Sequence, residues 1–362
     1  MPDQERRDLT FADAIREGLD QAMAQDSRVI VIGEGVPDPK AIFNTTAGLR
    51  ETHGAARVFD MPLAENGLTG VCIGAALAGM RPVMVHQRID FALLAMDQLV
   101  NNAAKWHYMF DGKASVPLVV RMIVGRGWGQ GPQHSQSLQA MFAQIPGLKV
   151  IMPTTAHDAK GMLIAAIEDN SPVIFIEHRW LHYVKDNVPK SYYRIDLDKA
   201  RVLHEGEAVT VAAFSYMALE AYAAAKALMS AMGVSIEVLD MRSVRPLDVE
   251  AVINSLRKTG RLIVADTASS TGSIAGELIA QVAERAFGML EASPVRVASP
   301  DYPTPTSHFM ADGYYPGAQT IADAVIGLLG ANKDGEGYRK LCEALQRKGP
   351  HDTPNRNFTG PF

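Results

Sequence analysis

Glu65 stands in Met61-Pro62-Leu63-Ala64-Glu65-Asn66-Gly67, between the strand-like Arg57-Val58-Phe59 and the apolar Gly/Ala-rich run Gly70 to Met80. An ionised carboxylate in an apolar setting costs several kcal/mol unless a cation or a proton-carrying group answers it. Glu65 is therefore a candidate acid–base or ligand-orienting group. The alternative is a solvated glutamate at a helix start, favoured by the positive end of the helix dipole. The second candidate region is Gly125-Arg126-Gly127-Trp128-Gly129-Gln130-Gly131-Pro132-Gln133-His134-Ser135-Gln136-Ser137. Its glycines alternate with large polar or aromatic residues, which lets backbone approach a ligand closely. His134 precedes a helix expected from about Ser135. Neutral imidazole is favoured there and suits a general base, the alternative being a surface capping histidine.

Gly70, Gly74 and Ala78 fall on one face of the helix expected over Asn66 to Gly79. Each glycine costs about 0.5–1 kcal/mol relative to alanine, so close packing or a cofactor surface must compensate. Phe91 opens the next expected helix, and Gln98 and Asn102 on its apolar stripe suggest a partly polar contact, as between subunits.

These residues sit in an alternating pattern of elements. Helix Thr10 to Ala24 is followed by strand Val29 to Gly33, helix Asn66 to Gly79, strand Pro82 to His86, helix Phe91 to Met109, strand Pro117 to Ile123, helix Thr155 to Glu168 and strand Pro172 to Glu177. The pattern breaks between Leu181 and Leu203 and then resumes. Strand Ala208 to Ala213, helix Met217 to Met232, strand Ser235 to Asp240, helix Asp248 to Lys258, strand Arg261 to Ala265, helix Ser273 to Phe287 and strand Val295 to Ala298 follow. Strands apolar on both faces with helices between them predict parallel sheets covered on both sides. The fold class is α/β, with two doubly wound domains: residues 1–185, a linker 186–205, residues 206–330, and a tail 331–362 with one short charged helix, Tyr338 to Arg347, followed by Gly/Pro/Asn-rich sequence expected to wrap a neighbour or fray.

Composition narrows the function classes. A hydrophobic fraction of 47% and a charged fraction of 21% over 362 residues suit a folded two-domain protein, and a net charge of -5 gives no footprint for nucleic acid or an anionic membrane. Only Cys72 and Cys342 occur, and the N-terminus is charged, so a cytoplasmic location is expected. The run Gly70 to Met80 is far short of the roughly 20 residues that span a bilayer. There is no GxxxxGK[ST], no GxGxxG after the first strand, and no GxSxG elbow.

The motifs Gly33-Glu34, Pro62-Leu63-Ala64-Glu65-Asn66-Gly67, Gly74-Ala75-Ala76-Leu77-Ala78-Gly79, Asp90-Phe91, Met96-Asp97-Gln98, Ala103-Ala104-Lys105-Trp106, Gln133-His134-Ser135-Gln136-Ser137, Pro146-Gly147-Leu148-Lys149-Val150 and Asp240-Met241-Arg242-Ser243-Val244-Arg245-Pro246-Leu247-Asp248 together carry a family resemblance. Over about residues 8 to 330 the chain resembles the β subunit of the thiamine-diphosphate-dependent E1 component of 2-oxo acid dehydrogenases, the pyruvate dehydrogenase E1 β or transketolase-like family. The resemblance implies an N-terminal pyrimidine-binding domain and a C-terminal transketolase-like domain. It assigns Glu65 to the aminopyrimidine nitrogen of thiamine diphosphate, Phe91 to stacking on that ring, Glu34 to the same proton network and Gln87 to the cofactor's surroundings. His134 falls to the substrate or its acyl-carrying intermediate. A charge-assisted hydrogen bond of the Glu65 kind is worth about 1.5–3 kcal/mol, enough to hold a partly desolvated carboxylate.

The resemblance also implies a structural K⁺ site near Asp169, although Ser171 stands where the family usually has Asn. No Gly-Asp-Gly motif for a Mg²⁺-bound diphosphate occurs. The Mg²⁺ and diphosphate then belong to a partner α chain in an α2β2 heterotetramer. Arg88 and Trp128 depart from the family pattern, and Arg88 reads as a candidate for a carboxylate or phosphate on the substrate. The leading reading is decarboxylation of a 2-oxo acid with acyl transfer to a lipoyl carrier on an E2 chain. The alternatives are a two-chain transketolase-like biosynthetic enzyme and a non-catalytic assembly subunit.

Overall fold

The computed structural model describes residues 7–40, 42–126, 129–311 and 313–347. The chain forms two compact units: one takes the described residues up to Gly125 and Met141–Leu197, the other Arg126–Ala140 and the described residues from Asp198 onward. Arg126–Ala140 thus departs from the expected continuous first domain. Its side chains account for this, since the Arg126 guanidinium donates to the Pro305 carbonyl and Gln139 Nε2 donates to Asp266 Oδ1 at 2.7 Å. No helix among the described residues is long and apolar enough to cross a membrane.

The first unit runs β1 (Asp8–Thr10), α1 (Phe11–Gln25), β2 (Val29–Gly33), α2 (Leu49–His53), β3 (Val58–Phe59), α3 (Glu65–Leu77), β4 (Arg81–His86), α4 (Ile89–Ala92), α5 (Ala104–Met109), β5 (Val119–Val124), α6 (Gln139–Ala143, which starts in the other unit), β6 (Lys149–Ile151), α7 (Ala156–Glu168), β7 (Val173–His178) and β8 (Lys185–Asn187). Its strands lie parallel in the order β6-β7-β5-β4-β2-β3. Thr10 caps α1 by accepting from Asp13 N at 3.1 Å, and Phe11, Ile15, Leu19, Ala22 and Met23 bury one helical face. The helix expected over Phe91 to Met109 is instead broken: a 3₁₀ turn (Leu93–Ala95) and a π turn (Gln98–Ala103) separate α4 from α5. Within the π turn, Asn102 Nδ2 donates to Gln98 Oε1 at 2.9 Å, so these amides satisfy each other. The open glycine face is likewise only partly filled. A Cβ on Gly70 would lie 3.4 Å from Gln98 Oε1, but one on Gly67 or Gly74 would meet nothing within 4 Å.

The expected linker is largely built into the two units. β8 pairs antiparallel with β1, and the buried Lys160 ammonium donates to the carbonyls of Pro189 and Ser191 and to Glu17, which holds this stretch against α1 and α7. The second unit contains β9 (Arg201–His204), β10 (Thr210–Ala213), α8 (Tyr216–Met232), β11 (Glu237–Asp240), β12 (Ser243–Arg245), α9 (Val249–Thr259), β13 (Leu262–Ser269), α10 (Ile274–Ala286), β14 (Val295–Ser299), α11 (Ala318–Leu329) and α12 (Glu336–Leu345). Its sheet order is β14-β13-β10-β11-β9, parallel except for the edge strand β9. The short charged helix of the tail packs onto the second unit, and the Gly/Pro/Asn-rich stretch expected to fray or wrap a neighbour lies outside the described residues. Leu341 of α12 is fully buried in the core formed by α8, α11 and the sheet, and Arg347 Nη2 donates to Glu220 Oε1 at 3.0 Å.

Candidate active site

In open parallel sheets, ligands bind beyond the carboxyl ends of the strands at the point where strand order reverses. In the first unit that point lies between β2 and β4, because the chain leaves β2 to one side for β3 and crosses back to β4 on the other. Gly33 ends β2, and a Cβ there would collide with the Val85 carbonyl, so glycine lets the two strands converge. Glu34 follows β2, Gln87 follows β4 and Asp60 follows β3. Gln87 Nε2 donates to the Glu34 carbonyl at 3.3 Å, and Gly35 N donates to Asp60 Oδ1 at 3.0 Å. Gly35 turns the chain with φ +72°, a conformation glycine adopts without penalty.

Glu65 is the first residue of α3 and only 7% exposed. Its carbonyl accepts from Thr69 Oγ1 at 2.7 Å, whereas its carboxylate has no hydrogen-bond partner among the described residues. The Glu34 carboxyl is held above the usual carboxylate range by burial, by the negative charge of Glu65 and by that of Asp60. Glu34 Oε1 is buried without a hydrogen-bond partner among the described residues. Among the described residues no cluster of three or more His, Cys, Asp or Glu is placed to hold a metal ion. The arrangement is therefore an acceptor surface short of donors, suited to a ligand that presents N–H groups or shares a proton.

Phe91 is half-buried in α4, five residues beyond the end of β4. Arg88, expected at the substrate, is only 3% exposed and donates from Nη1 to the Gly125 carbonyl. His134 is exposed and closes a 3₁₀ turn (Pro132–His134) of the second unit. The next helix starts only at Gln139, so His134 does not stand at the helix start expected near Ser135. Trp128 lies outside the described residues. Asp169, expected near a K⁺ site, has several partners within the chain. The Asp169 carboxylate already accepts from the Lys149 ammonium and from Ser171 N, and its carbonyl accepts from Arg81 Nη1 at 3.0 Å. Burial alone would raise Asp169, but the Lys149 hydrogen bond and charge hold it below its usual range.

Residues 7–183 match the family described as Transketolase, pyrimidine binding domain, and residues 198–321 match Transketolase, C-terminal domain. The chain is 42% identical over 328 residues to the acetoin:2,6-dichlorophenolindophenol oxidoreductase subunit beta of Cupriavidus necator, covering 88% of this chain and 96% of that protein. It is also 42% identical over 296 residues to the 2-oxoisovalerate dehydrogenase subunit beta of Bacillus subtilis, covering 82% and 90%. The chain belongs to the transketolase-like E1 β family. Pyruvate dehydrogenase E1 component subunit beta of Porphyra purpurea, at 39% over 321 residues and 89% and 97% coverage, is a further relative. A solved structure titled split gene transketolase, inactive beta4 tetramer, shares the fold at a TM-score of 0.73 and 22% identity, over 89% of this chain and 98% of that one.

Within this E1 β-type chain, Glu34, Asp60, Glu65, Gln87 and Phe91 all fall inside the matched pyrimidine-binding domain. Asp60 escaped the sequence reading. Its only signal is its place directly after a two-residue strand, β3, at the carboxyl edge of the sheet. His86 and His178, buried at the ends of β4 and β7, were also passed over, because a histidine inside an apolar strand gives no sequence signal of its own.

Proposed function

We propose that this chain is the β subunit of a thiamine-diphosphate-dependent enzyme that decarboxylates a 2-oxo acid and passes the acyl group to a lipoyl carrier, active only with an α chain. The observation that carries this reading is Glu65, only 7% exposed and with no carboxylate hydrogen bond among the described residues, together with a Glu34 Oε1 that is buried and lacks a partner among them. Thiamine diphosphate, when bound, would supply the electron sink that a 2-oxo acid needs to lose CO₂. Glu65 holds a proton toward the aminopyrimidine nitrogen. Glu34, raised by burial and by its acidic neighbours, keeps a proton available to the same network. Gln87 fixes the backbone of Glu34. Phe91 offers a ring face to the pyrimidine. His134 gives or takes a proton at the substrate.

The diphosphate and its Mg²⁺ then belong to the α chain, in an α2β2 assembly, a reading supported by a sequence without Gly-Asp-Gly. Exposed Gly67, Val71, Gly74 and Ala78 on α3 leave room for a closely packed partner helix. The two unpaired cysteines suit a cytoplasmic setting.

A second reading keeps the cofactor and drops the lipoyl carrier, as in acyloin formation or ketol transfer. It is favoured by α12, which lies outside the matched residues and packs onto the second unit. Co-expression with a candidate α chain tests both. With thiamine diphosphate, Mg²⁺ and a panel of 2-oxo acids, acyl transfer to a lipoyl acceptor establishes the first. Turnover without lipoyl transfer but with an aldehyde or sugar acceptor establishes the second. A purely structural subunit would show no dependence on Glu65.

A further inference from the structure

His134 lies on a segment with little regular structure of its own. Across residues 129–138 the one regular element is the 3₁₀ turn Pro132–His134, within which His134 N donates to the Gly131 carbonyl at 3.2 Å. The segment ends on Gln139, whose side chain is fully buried in the second unit. Gln139 Nε2 donates to Asp266 Oδ1 at 2.7 Å and to Thr267 Oγ1 at 3.2 Å. Both acceptors stand on β13, which is hydrogen-bonded to β10 on one side and to β14 on the other. The flexible segment is thus tied to a strand that cannot easily move.

Asp266 is fully buried and makes no ion pair among the described residues. Burial raises its carboxyl, and the Gln139 hydrogen bond is the largest influence in the opposite direction. A buried carboxyl without a cation depends on its hydrogen bonds, so this amide offsets part of its desolvation. A second contact lies on the other side of His134. A Cβ on Gly131 would come within 2.3 Å of Thr306 Oγ1, so glycine lets the segment lie directly against that residue of the second unit. The His134 turn is held between these two contacts.

We propose that Asp266 is a positioning residue which, through Gln139, sets where His134 stands on the second unit. This rests on the reading of His134 as the group that gives or takes a proton at the substrate. Displacement of a catalytic group by about 1 Å can lower turnover about 100-fold.

The test uses Gln139→Leu, which fills the buried position and removes the amide, assembled with the α chain, thiamine diphosphate and Mg²⁺. The expected result is kcat lowered about 10- to 100-fold with KM for the 2-oxo acid within about threefold of wild type. In the isolated full chain, backbone amides of 129–138 should exchange hydrogen faster while those of β10 and β13 keep their rates. Gln139→Glu sets two carboxyls against each other and should show the same losses. Adding Asp266→Asn to it exchanges acid and amide, and should recover part of both. Should Gln139→Leu fail to fold, Gln139→Leu with Asp266→Asn, which leaves no buried carboxyl unpaired, is read by the same two measurements. Unchanged exchange at 129–138 in a folded variant would overturn the proposal. So would an equal rise through β10 and β13, which would mean general loosening. Faster exchange at 129–138 alone, with kcat unchanged, would support the tie to Asp266 and overturn the reading of His134.

Discussion

Gln87 Nε2 donates to the Glu34 carbonyl at 3.3 Å, joining the residue after β4 to the residue after β2 across the point where strand order reverses. This hydrogen bond, with the convergence of strands that Gly33 permits, places the Glu34 side chain in the field of both Glu65 and Asp60. Three carboxylates in one neighbourhood repel one another, so a network that shares a proton is the state that relieves them.

Glu65→Gln keeps the shape of the first residue of α3 and removes its ionisable group. Turnover of the assembled enzyme should fall at least about 100-fold, the usual scale for loss of acid–base chemistry. Assembly should persist, because the carboxylate holds no hydrogen-bond partner among the described residues and its helix-dipole contribution is about 0.3–1 kcal/mol. Steady-state rates together with size-exclusion profiles check this. Wild-type turnover in the variant would remove the central claim.

Asp60→Asn should move the acid limb of the kcat/KM pH profile. Glu34 titrates above its ordinary value because burial, Glu65 and Asp60 all disfavour its anion. Removing the Asp60 charge makes that anion less unfavourable, so the Glu34 midpoint and the limb it governs should shift to lower pH. The asparagine oxygen can still accept from Gly35 N, which leaves the turn in place. A limb that does not move would show that Glu34 does not control it.

Much of this site was legible in the sequence, and the reasons separate by residue. Glu65 stood out because a carboxylate beside an apolar glycine run needs an explanation, and the strands flanking the site read correctly from their continuous apolar runs. Asp60 did not, because its meaning comes from strand pairing: β3 lies parallel beside β2, with Phe59 opposite Ile32, and this brings Asp60 near Glu34. The type of Arg88 suggests an anion as its partner, while its burial and its bond to Gly125 are tertiary facts that no local sequence pattern carries. The long helix from Phe91 was misread for a related reason. Its apolar period continues across the 3₁₀ and π turns that break the backbone, and periodicity does not register a change of pitch within one stripe.

Acid should destabilise the fold through His86. Burial holds this imidazole down to about 4, against about 6.5 in an unfolded chain. As pH falls below about 6.5 the unfolded chain takes up a proton that the folded chain refuses until about 4, so stability is lost across that window as pH drops. The loss attributable to His86 between about pH 7 and about pH 5 is about 2 kcal/mol. His86→Val, suited to a buried strand position, should flatten that part of the dependence. Denaturant midpoints at the two pH values measure it, and an equal slope in both proteins would refute the assignment.

Gly74→Leu separates folding of the chain from its assembly. Gly74 sits in the middle of α3, and a Cβ there would meet nothing within 4 Å, so within this chain leucine has room. Replacing glycine by a good helix former adds up to about 1 kcal/mol of helix stability, so the isolated chain should unfold at the same denaturant concentration or a higher one. A helix packed closely on this face from an α chain would instead strike the new side chain. Heterotetramer formation and turnover should then be lost together, read by analytical ultracentrifugation and by the 2-oxo acid assay. Normal assembly of the variant would mean that the glycine face points to solvent and that the α chain binds elsewhere.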